Sequence, residues 1–379
     1  MKADVLIVGA GPAGCVAAIL LAREGVRVRL LDRARFPRRK LCGDTINPGT
    51  SAMLRRLGLG RAAEQGALRV DGMIVSGSGV VVSGRYPRGV SGLAITRAAF
   101  DARLFDAAVQ AGAAVEEGAV VTGAVVGECH GGGTAVTGLH VARRSGGATP
   151  LRARLCIAAD GRHSRVALGL ALSRHPARPR RWAIGSYYTD VDGLAGLGEM
   201  HIRDGHYVGV AAVPEGLVNV CLVTGDRERL RDPERALREA IATDPMLRDR
   251  FARARRAAPI AVMGPLAVRS RAAGMPGLLL AGDAAGFVDP MTGDGLRFAI
   301  RGGELAARAA LHALATGDRR AHERLERSRR EFARKRTFNQ TLRALVESPG
   351  AIRAAALAAR VAPAVVRYAI RVAGDVRVA

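Results

Sequence analysis

Gly9, Gly11 and Gly14, in Val8-Gly-Ala-Gly-Pro-Ala-Gly14, have the spacing that brings a peptide backbone against a pyrophosphate. In such a run the first glycine makes a tight turn. The second admits the phosphates, and the third lets a helix pack closely on the preceding strand. Residues 4–8 read as that strand, and Pro12 and Ala13 lead into a helix over 14–24 whose free N-terminal amides favour negative charge. A second strand over 26–31 ends at Asp32, followed by Arg33. A carboxylate there accepts the hydroxyls of an unphosphorylated adenosine ribose, which favours FAD or NAD over NADP.

A segment near the other end of the chain, Ala281-Gly-Asp-Ala-Ala-Gly-Phe-Val-Asp-Pro-Met-Thr-Gly-Asp-Gly295, separates these two ligands. FAD is the longer molecule, and its ribitol and second phosphate need partners beyond the first strand–helix–strand unit. Gly282 and Asp283 follow apolar Leu278–Leu280, where a carboxylate can accept ribitol hydroxyls. Pro290, Gly293, Asp294, Gly295 and Leu296 open a helix expected over 296–314. Its first amides could face the flavin pyrimidine ring and stabilise the charge of reduced flavin. The expected cofactor is FAD.

Four stretches together carry a family resemblance: Gly9–Gly14 with Asp32, Phe36-Pro-Arg-Arg-Lys-Leu-Cys-Gly-Asp44, Ala159-Asp-Gly-Arg-His-Ser-Arg165, and 281–303. In this order they resemble the FAD-dependent oxidoreductases of the para-hydroxybenzoate hydroxylase-like fold. Gly286 and Met291-Thr-Gly-Asp-Gly295 are similar to the geranylgeranyl reductase-related branch, where the aromatic hydroxylases carry a His and a Gly-Gly-Gln-Gly-like turn. The resemblance implies that Lys40, Cys42 and Gly43 lie beside the isoalloxazine. It also implies that Arg97 lies near the FAD phosphates and that Asp160-Gly161 contributes to the cofactor site. Cys42 is the candidate catalytic residue, a thiol able to protonate carbon while the flavin delivers hydride; its other reading is a small packing residue. Only one Gly-x-Gly-x-x-Gly run is present, so either NAD(P)H binds transiently as the reductant or the electrons arrive from another donor. Prenyl reductases of the branch often carry Tyr-x-Trp-x-Phe-Pro in the substrate domain. Here Tyr207-Val-Gly-Val-Ala-Ala-Val-Pro214 keeps the Tyr and Pro and lacks the Trp and Phe. Tyr187, Tyr188 and Tyr207 are the candidate substrate-lining residues.

The elements that would position these residues suggest an α/β protein. It would be a Rossmann-like FAD-binding domain with an inserted antiparallel-sheet substrate domain and C-terminal helices. The expected divisions are 1–75, 95–175 and 261–335 for the discontinuous FAD-binding domain, 76–94 and 176–260 for the substrate domain, and 336–379 for a helical tail. Strands are expected over 151–160, 182–190, 207–213 and 217–223, with Pro214-Glu-Gly216 turning the last pair. A Gly-rich turn is expected at 131–133, and 229–256 reads as a charged helical insertion.

The net charge of +24 comes almost wholly from arginine. Aromatic residues make up 4% of the chain and form no basic–aromatic platform, which argues against nucleic acid as a partner. The five cysteines form no Cys-x-x-Cys pair and no metal-like cluster with histidine, so a reducing compartment and no metal site are expected. Met1-Lys2 runs directly into the first strand, leaving no room for a signal peptide, and no long uncharged apolar run is present. The expected location is the cytoplasm. Arg353, Arg360, Arg367 and Arg371 share one face of a helical tail interrupted by Pro363. That stripe suits either peripheral contact with the inner face of a membrane or a helix pair packed on the FAD domain. Three functions fit: reduction of a C=C bond in an apolar isoprenoid-, quinone- or polyketide-like molecule, hydroxylation of an apolar phenol or quinone precursor, or membrane-associated electron transfer. A halogenase is disfavoured, since no Trp-x-Trp-x-Ile-Pro occurs and Trp182 is the single tryptophan.

Overall fold

The computed structural model describes residues 3–128, 133–142, 146–178, 180–318 and 320–376. Its centre is a six-stranded sheet in the order Gly274–Met275, Leu278–Leu280, Leu155–Ala158, Val5–Val8, Val28–Asp32, Ala114–Glu117. All neighbours pair in parallel except the first two strands. Val5–Val8, Leu155–Ala158 and Leu278–Leu280 are buried at every position. Such unbroken apolar runs are what a parallel sheet covered on both faces requires. Helices Pro12–Arg23, Arg97–Gln110 and Gly295–Thr316 cover one face. The other carries an antiparallel sheet of Val121–Glu128, Thr134–Ala142 and Ala148–Arg152. Cys129 and most of the expected 131–133 turn fall outside the described residues. The strand expected over 151–160 is two strands, Ala148–Arg152 and Leu155–Ala158, in different sheets.

The second large sheet runs Arg255–Arg256, Trp182–Thr189, Leu217–Thr224, His206–Val213, Gly198–Arg203, Gly72–Gly77, Val80–Arg85, with Ala261–Met263 also pairing to Trp182–Thr189. The sheet therefore starts before residue 76 and extends past residue 260. Gly92–Ala94 lies instead in a small sheet with Thr45–Ile46 and Leu68–Val70. Gly198–Arg203 was not foreseen as a strand. It pairs in parallel with Gly72–Gly77, so the sheet is mixed rather than purely antiparallel. One face packs on the helix Pro233–Ala242, whose Asp232 cap accepts from Arg235 N at 2.9 Å and whose Pro233 occupies the first turn. Its Leu237, Ala240 and Ile241 bury against Ile184, Val208 and Leu222. The charged 229–256 insertion is thus one amphipathic helix between short irregular pieces.

Helices Pro349–Val361 and Pro363–Ala373 meet at Pro363, which cannot supply the hydrogen bond that would continue the first helix. They pack mainly on Gly72–Gly77 and Val80–Arg85, and their C-terminal end also reaches the parallel-sheet domain, where Asn47 meets Ala373 and Arg297 pairs with Asp375. A Cβ at Gly84 would sit 2.8 Å from Ile370 Cδ1, so the glycine makes room for that contact.

Candidate active site

The fingerprint turn is fixed by contacts that only glycine permits. Gly9 has a φ of +96°, and a Cβ there would lie 2.4 Å from Ala159 O. At Gly14 a Cβ would lie 1.8 Å from Gly9 O, so strand, turn and helix close on one another. Asp32 accepts from Ala10 N at 2.7 Å and from Ala34 N at 2.8 Å. Its carboxylate therefore also holds the turn from the neighbouring strand. Beside it a cleft of about 90 Å³ is lined by Gly9, Asp32, Arg33, Val120, Asp160 and Arg165. Burial pushes Asp160 up to about 6, against hydrogen bonds from Ser164 and the Arg165 amide. Asp160 Oδ1 and Arg162 Nε are buried without a hydrogen-bond partner in the protein. Buried polar atoms left open at a cleft suit a polar ligand.

Next to the turn, Arg38 and Arg97 converge on Asp101 at 3.2 and 2.7 Å, and Lys40 and Arg162 face Asp283 at 3.9 and 3.8 Å. Arg38 Nη2 reaches within 3.4 Å of where a Cβ on Gly11 would stand. Four cations face two carboxylates, leaving positive charge beside the phosphate-binding backbone. Burial lowers the proton affinities of Lys40 and Arg162, and Asp283 only partly compensates. A phosphate ligand would relieve that cost. Glycine turn, open polar atoms and surplus positive charge fit the adenosine and pyrophosphate of FAD. Arg97, the residue expected near the phosphates, lies in this cluster, and its guanidinium is bound by Asp101 and touches the Cys42 side chain. Burial opposes its charge; Asp101 and Cys42 more than offset that and hold Arg97 above its ordinary value. Arg38 and Asp101 were not singled out in the sequence, since nothing local marks their meeting.

The loop carrying Cys42 is pinned to the second sheet through Asp44. This residue is 1% exposed and has a φ of +54°, a conformation uncommon for a residue with a side chain. Tyr187 donates its hydroxyl to Asp44 Oδ2, and Asn219 Nδ2 donates to the same oxygen at 2.8 Å. The Arg97 amide donates to Oδ1 at 3.1 Å. Asn219 Nδ2 also donates to Cys42 O at 2.9 Å. Burial drives Asp44 up to about 6 despite these donors. Burial, then the Asp44 charge, raises Tyr187. Gly185 stands where a Cβ would lie 2.6 Å from Leu41 Cδ1, so the strand admits the loop at that point.

Strand register separates the three tyrosines. Cross-strand pairing aligns Tyr187 with Asn219 and Ala211, and Ala183 with Val223 and Tyr207. These residues share the face turned to the Cys42 loop. Tyr207 packs there with Ala183, Val223 and Leu266, and its hydroxyl donates to Asp289 Oδ1 at 2.7 Å. Tyr188 lies on the opposite face, edge-on to Phe251 with ring centroids 5.6 Å apart. The expectation that Tyr188 lines the substrate site is corrected: adjacent strand residues point to opposite faces, and Tyr188 belongs to the helix-packed core. Asp289, which also faces Arg181 at 3.4 Å, and Asn219 are site residues that sequence reading did not single out.

Gly282, at φ +60°, brings Asp283 over the fingerprint helix, and a Cβ on Gly282 would meet Ala13 Cβ at 3.0 Å. Pro290–Thr292 forms one turn, Gly293 follows at φ +68°, and the helix Gly295–Thr316 then begins with no side-chain cap at Asp294. Leu296 packs into the main core. The Asp294 side chain departs from its expected role: it faces Lys335 Nζ and Asn47 Nδ2, each at 3.3 Å, and so points toward the tail helices. Lys335 also donates to Ala373 O at 3.1 Å. Any contribution of Asp294 to the cofactor would come from its backbone. Among the described residues no group of side chains could hold a metal ion.

The family model for an FAD binding domain matches residues 2–340. A menaquinone reductase of Mycobacterium tuberculosis is 34% identical over 324 residues, covering 81% of this chain and 76% of that one. Digeranylgeranylglycerophospholipid reductase 2 of Methanopyrus kandleri is 30% identical over 332 residues, covering 84% and 79%. Among solved structures, a flavoprotein/dehydrogenase from Cytophaga hutchinsonii superposes with a TM-score of 0.82 at 21% identity, covering 98% of this chain and 92% of that one. The myxobacterial chondrochloren halogenase CndH gives 0.81 at 24% identity, covering 97% and 90%. At these identities the structural likeness is one of fold.

Proposed function

Because this chain belongs to the FAD binding domain family and is an FAD-dependent oxidoreductase, we propose that it reduces C=C bonds in an apolar, isoprenoid-bearing lipid or quinone. The observation that carries this reading is the composition of the sheet face opposite the Cys42 loop. It is walled by buried Ala183, Tyr207, Val223 and Leu266, and its polar groups are concentrated at Tyr187, Asn219 and Asp44. The names of the two relatives described above, both reductases, point the same way.

FAD bound in the cleft supplies hydride when reduced. Arg38, Lys40 and Arg162 would bind its phosphates, Asp32 and Asp160 its adenosine end, and Asp283 its ribitol. Hydride addition to an alkene leaves a carbon that must gain a proton. The Cys42 thiol is the first donor in this reading, and the Tyr187 hydroxyl is the second. Asp44, ionising at about 6, holds the phenol in place and can accept or return its proton. Tyr207 and Val223, each 2% exposed, exclude water from that face, so protons reach the substrate through these side chains.

The test is anaerobic incubation of the photoreduced, FAD-loaded protein with a polyprenyl quinone whose head group is already reduced and with a polyprenyl glycerolipid, followed by mass spectrometry. The reading predicts a gain of one H2 per reduced bond under argon. A product that forms only in air and carries an added oxygen would replace it with hydroxylation. A halide-dependent product would replace it with the chemistry named for CndH.

A further inference from the structure

We propose that the outer face of helices Pro349–Val361 and Pro363–Ala373 docks on an anionic lipid bilayer. Leu357, Val361, Val365 and Tyr368 are 64%, 82%, 64% and 57% exposed. They are four of the nine exposed large hydrophobic residues among the described residues, and they fall within twelve positions. Isolated exposed apolar side chains are ordinary, but a contiguous group is not. The inner faces of the same helices are occupied: Ile352 and Ile370 are buried against the sheet, the latter at Gly84. The exposed side chains are thus a second apolar face rather than an unfilled core.

Charge selects the partner. Residues 348–374 contain four arginines and no aspartate or glutamate. Arg353, Leu357, Arg360 and Val361 fall within about a third of one helix circumference, so cation and apolar group alternate along one stripe. An acidic lipid surface satisfies both components, giving apolar contact to Leu357 and Val361 and negative charge opposite Arg360 and Arg367. Among the described residues no helix is long and apolar enough to cross a membrane, so the contact is interfacial.

The position suits delivery of an apolar molecule. The inner end of Pro363–Ala373 meets Asn47, whose Nδ2 donates to Ala373 O at 3.3 Å, and Lys335, which bridges to Asp294 at the start of the Gly295–Thr316 helix. The helix pair that carries the proposed lipid face thus ends at the residues that flank the start of the Gly295–Thr316 helix. The docking inference itself does not depend on which reaction the flavin performs.

The experiment is co-sedimentation of the FAD-loaded protein, without substrate, on vesicles of phosphatidylcholine alone and of phosphatidylcholine with phosphatidylglycerol. The wild type is expected to bind the anionic vesicles and to leave the neutral ones largely unbound, with affinity falling as salt rises. Arg360→Glu with Arg367→Glu should weaken binding by about thirtyfold or more. Val361→Asp with Val365→Asp should weaken it at least about tenfold. Retained flavin absorbance and an unchanged melting temperature show that these variants are folded. Failure of the wild type to bind anionic vesicles overturns the inference, as does equal binding by folded variants. Association of free copies that the apolar variants abolish would assign the face to a second copy and likewise overturn it. Because no turnover is read, failure here leaves the proposed reduction standing, and loss of reduction leaves docking standing.

Discussion

Tyr187 donates its hydroxyl to Asp44, joining the apolar sheet to the loop that carries Cys42 across 143 positions of sequence. The same carboxylate receives Asn219 and the first amide of the Arg97–Gln110 helix. One buried acid thus ties together the sheet, the loop and a helix of the cofactor domain. Its ionisation affects all three.

Asp44 is raised from 3.8 to about 6 by burial. A carboxyl raised in the folded state contributes stability below its unfolded value and loses that contribution as pH rises through the folded value. The loss between about pH 4 and pH 6 is about 3 kcal/mol. Asp44→Asn removes this dependence. Its stability relative to wild type, measured by urea unfolding, should improve by about that amount from pH 4 to pH 7. Asp160, raised to a similar value, should add a separate loss in the same window that Asp160→Asn removes.

Gly14→Ala should abolish flavin retention, because the new Cβ would stand 1.8 Å from Gly9 O and force the phosphate turn open. Gly169→Ala is the matched control. Nothing lies within 4 Å of its added Cβ and the residue is exposed outside the site, so that variant should purify yellow with FAD affinity within about threefold of wild type. Absorbance of the purified proteins and titration with FAD check both outcomes.

Glu304 is 1% exposed and meets Arg56 at 2.6 Å, Arg301 at 2.7 Å and Arg308 at 2.8 Å. Burial raises the carboxyl, but hydrogen bonds from Arg56 and Arg301 outweigh it and hold Glu304 below its ordinary value. Its stabilisation is therefore present above the ordinary carboxylate range and lost as pH falls through the lowered value. Glu304→Gln should cost about 2 kcal/mol near pH 7, a figure kept modest because the arginines are partly exposed. The difference should shrink below about pH 4, measured by chemical unfolding.

Cys42→Ala and Tyr187→Phe distinguish donor from packing residue. The proposed reaction predicts a fall in kcat of about a hundredfold for the principal donor and about tenfold for the other, with FAD still bound. Cys42→Ser should recover part of the loss, since a hydroxyl can still donate. If Cys42 only fills space, Cys42→Ala should lower stability and leave kcat unchanged.

The fingerprint, Asp32, Gly282-Asp283 and the Pro363 break were legible because each is a local pattern with a local physical cause. Their role in shaping the parallel sheet followed from apolar runs at residues 5–8, 155–158 and 278–280. Strand Gly198–Arg203 was hidden by its buried Glu199 and His201, whose polarity is satisfied by Arg250 at 2.7 Å and Ser76 at 2.9 Å from distant segments. The misreading of Tyr188 has a different origin. Alternation is visible in a strand, but which face meets the site depends on partners more than thirty residues away. Asn219 and Asp289 escaped notice for the same reason, since each acquires its meaning only from a distant tyrosine. Asp294 shows the converse: its motif pointed to the cofactor, while Lys335 and Asn47 draw its side chain toward the tail.

The central claim is that reduced FAD in this protein gives its electrons to an apolar alkene held against the Tyr187–Asp44 face. The most direct measurement is anaerobic stopped-flow mixing of the photoreduced, FAD-loaded protein with a polyprenyl quinone whose head group is already reduced. The account predicts recovery of oxidised-flavin absorbance at a rate that saturates with substrate, one flavin reoxidised per double bond lost, and slower recovery in Tyr187→Phe. Flavin that stays reduced with each candidate lipid until oxygen is admitted would contradict it.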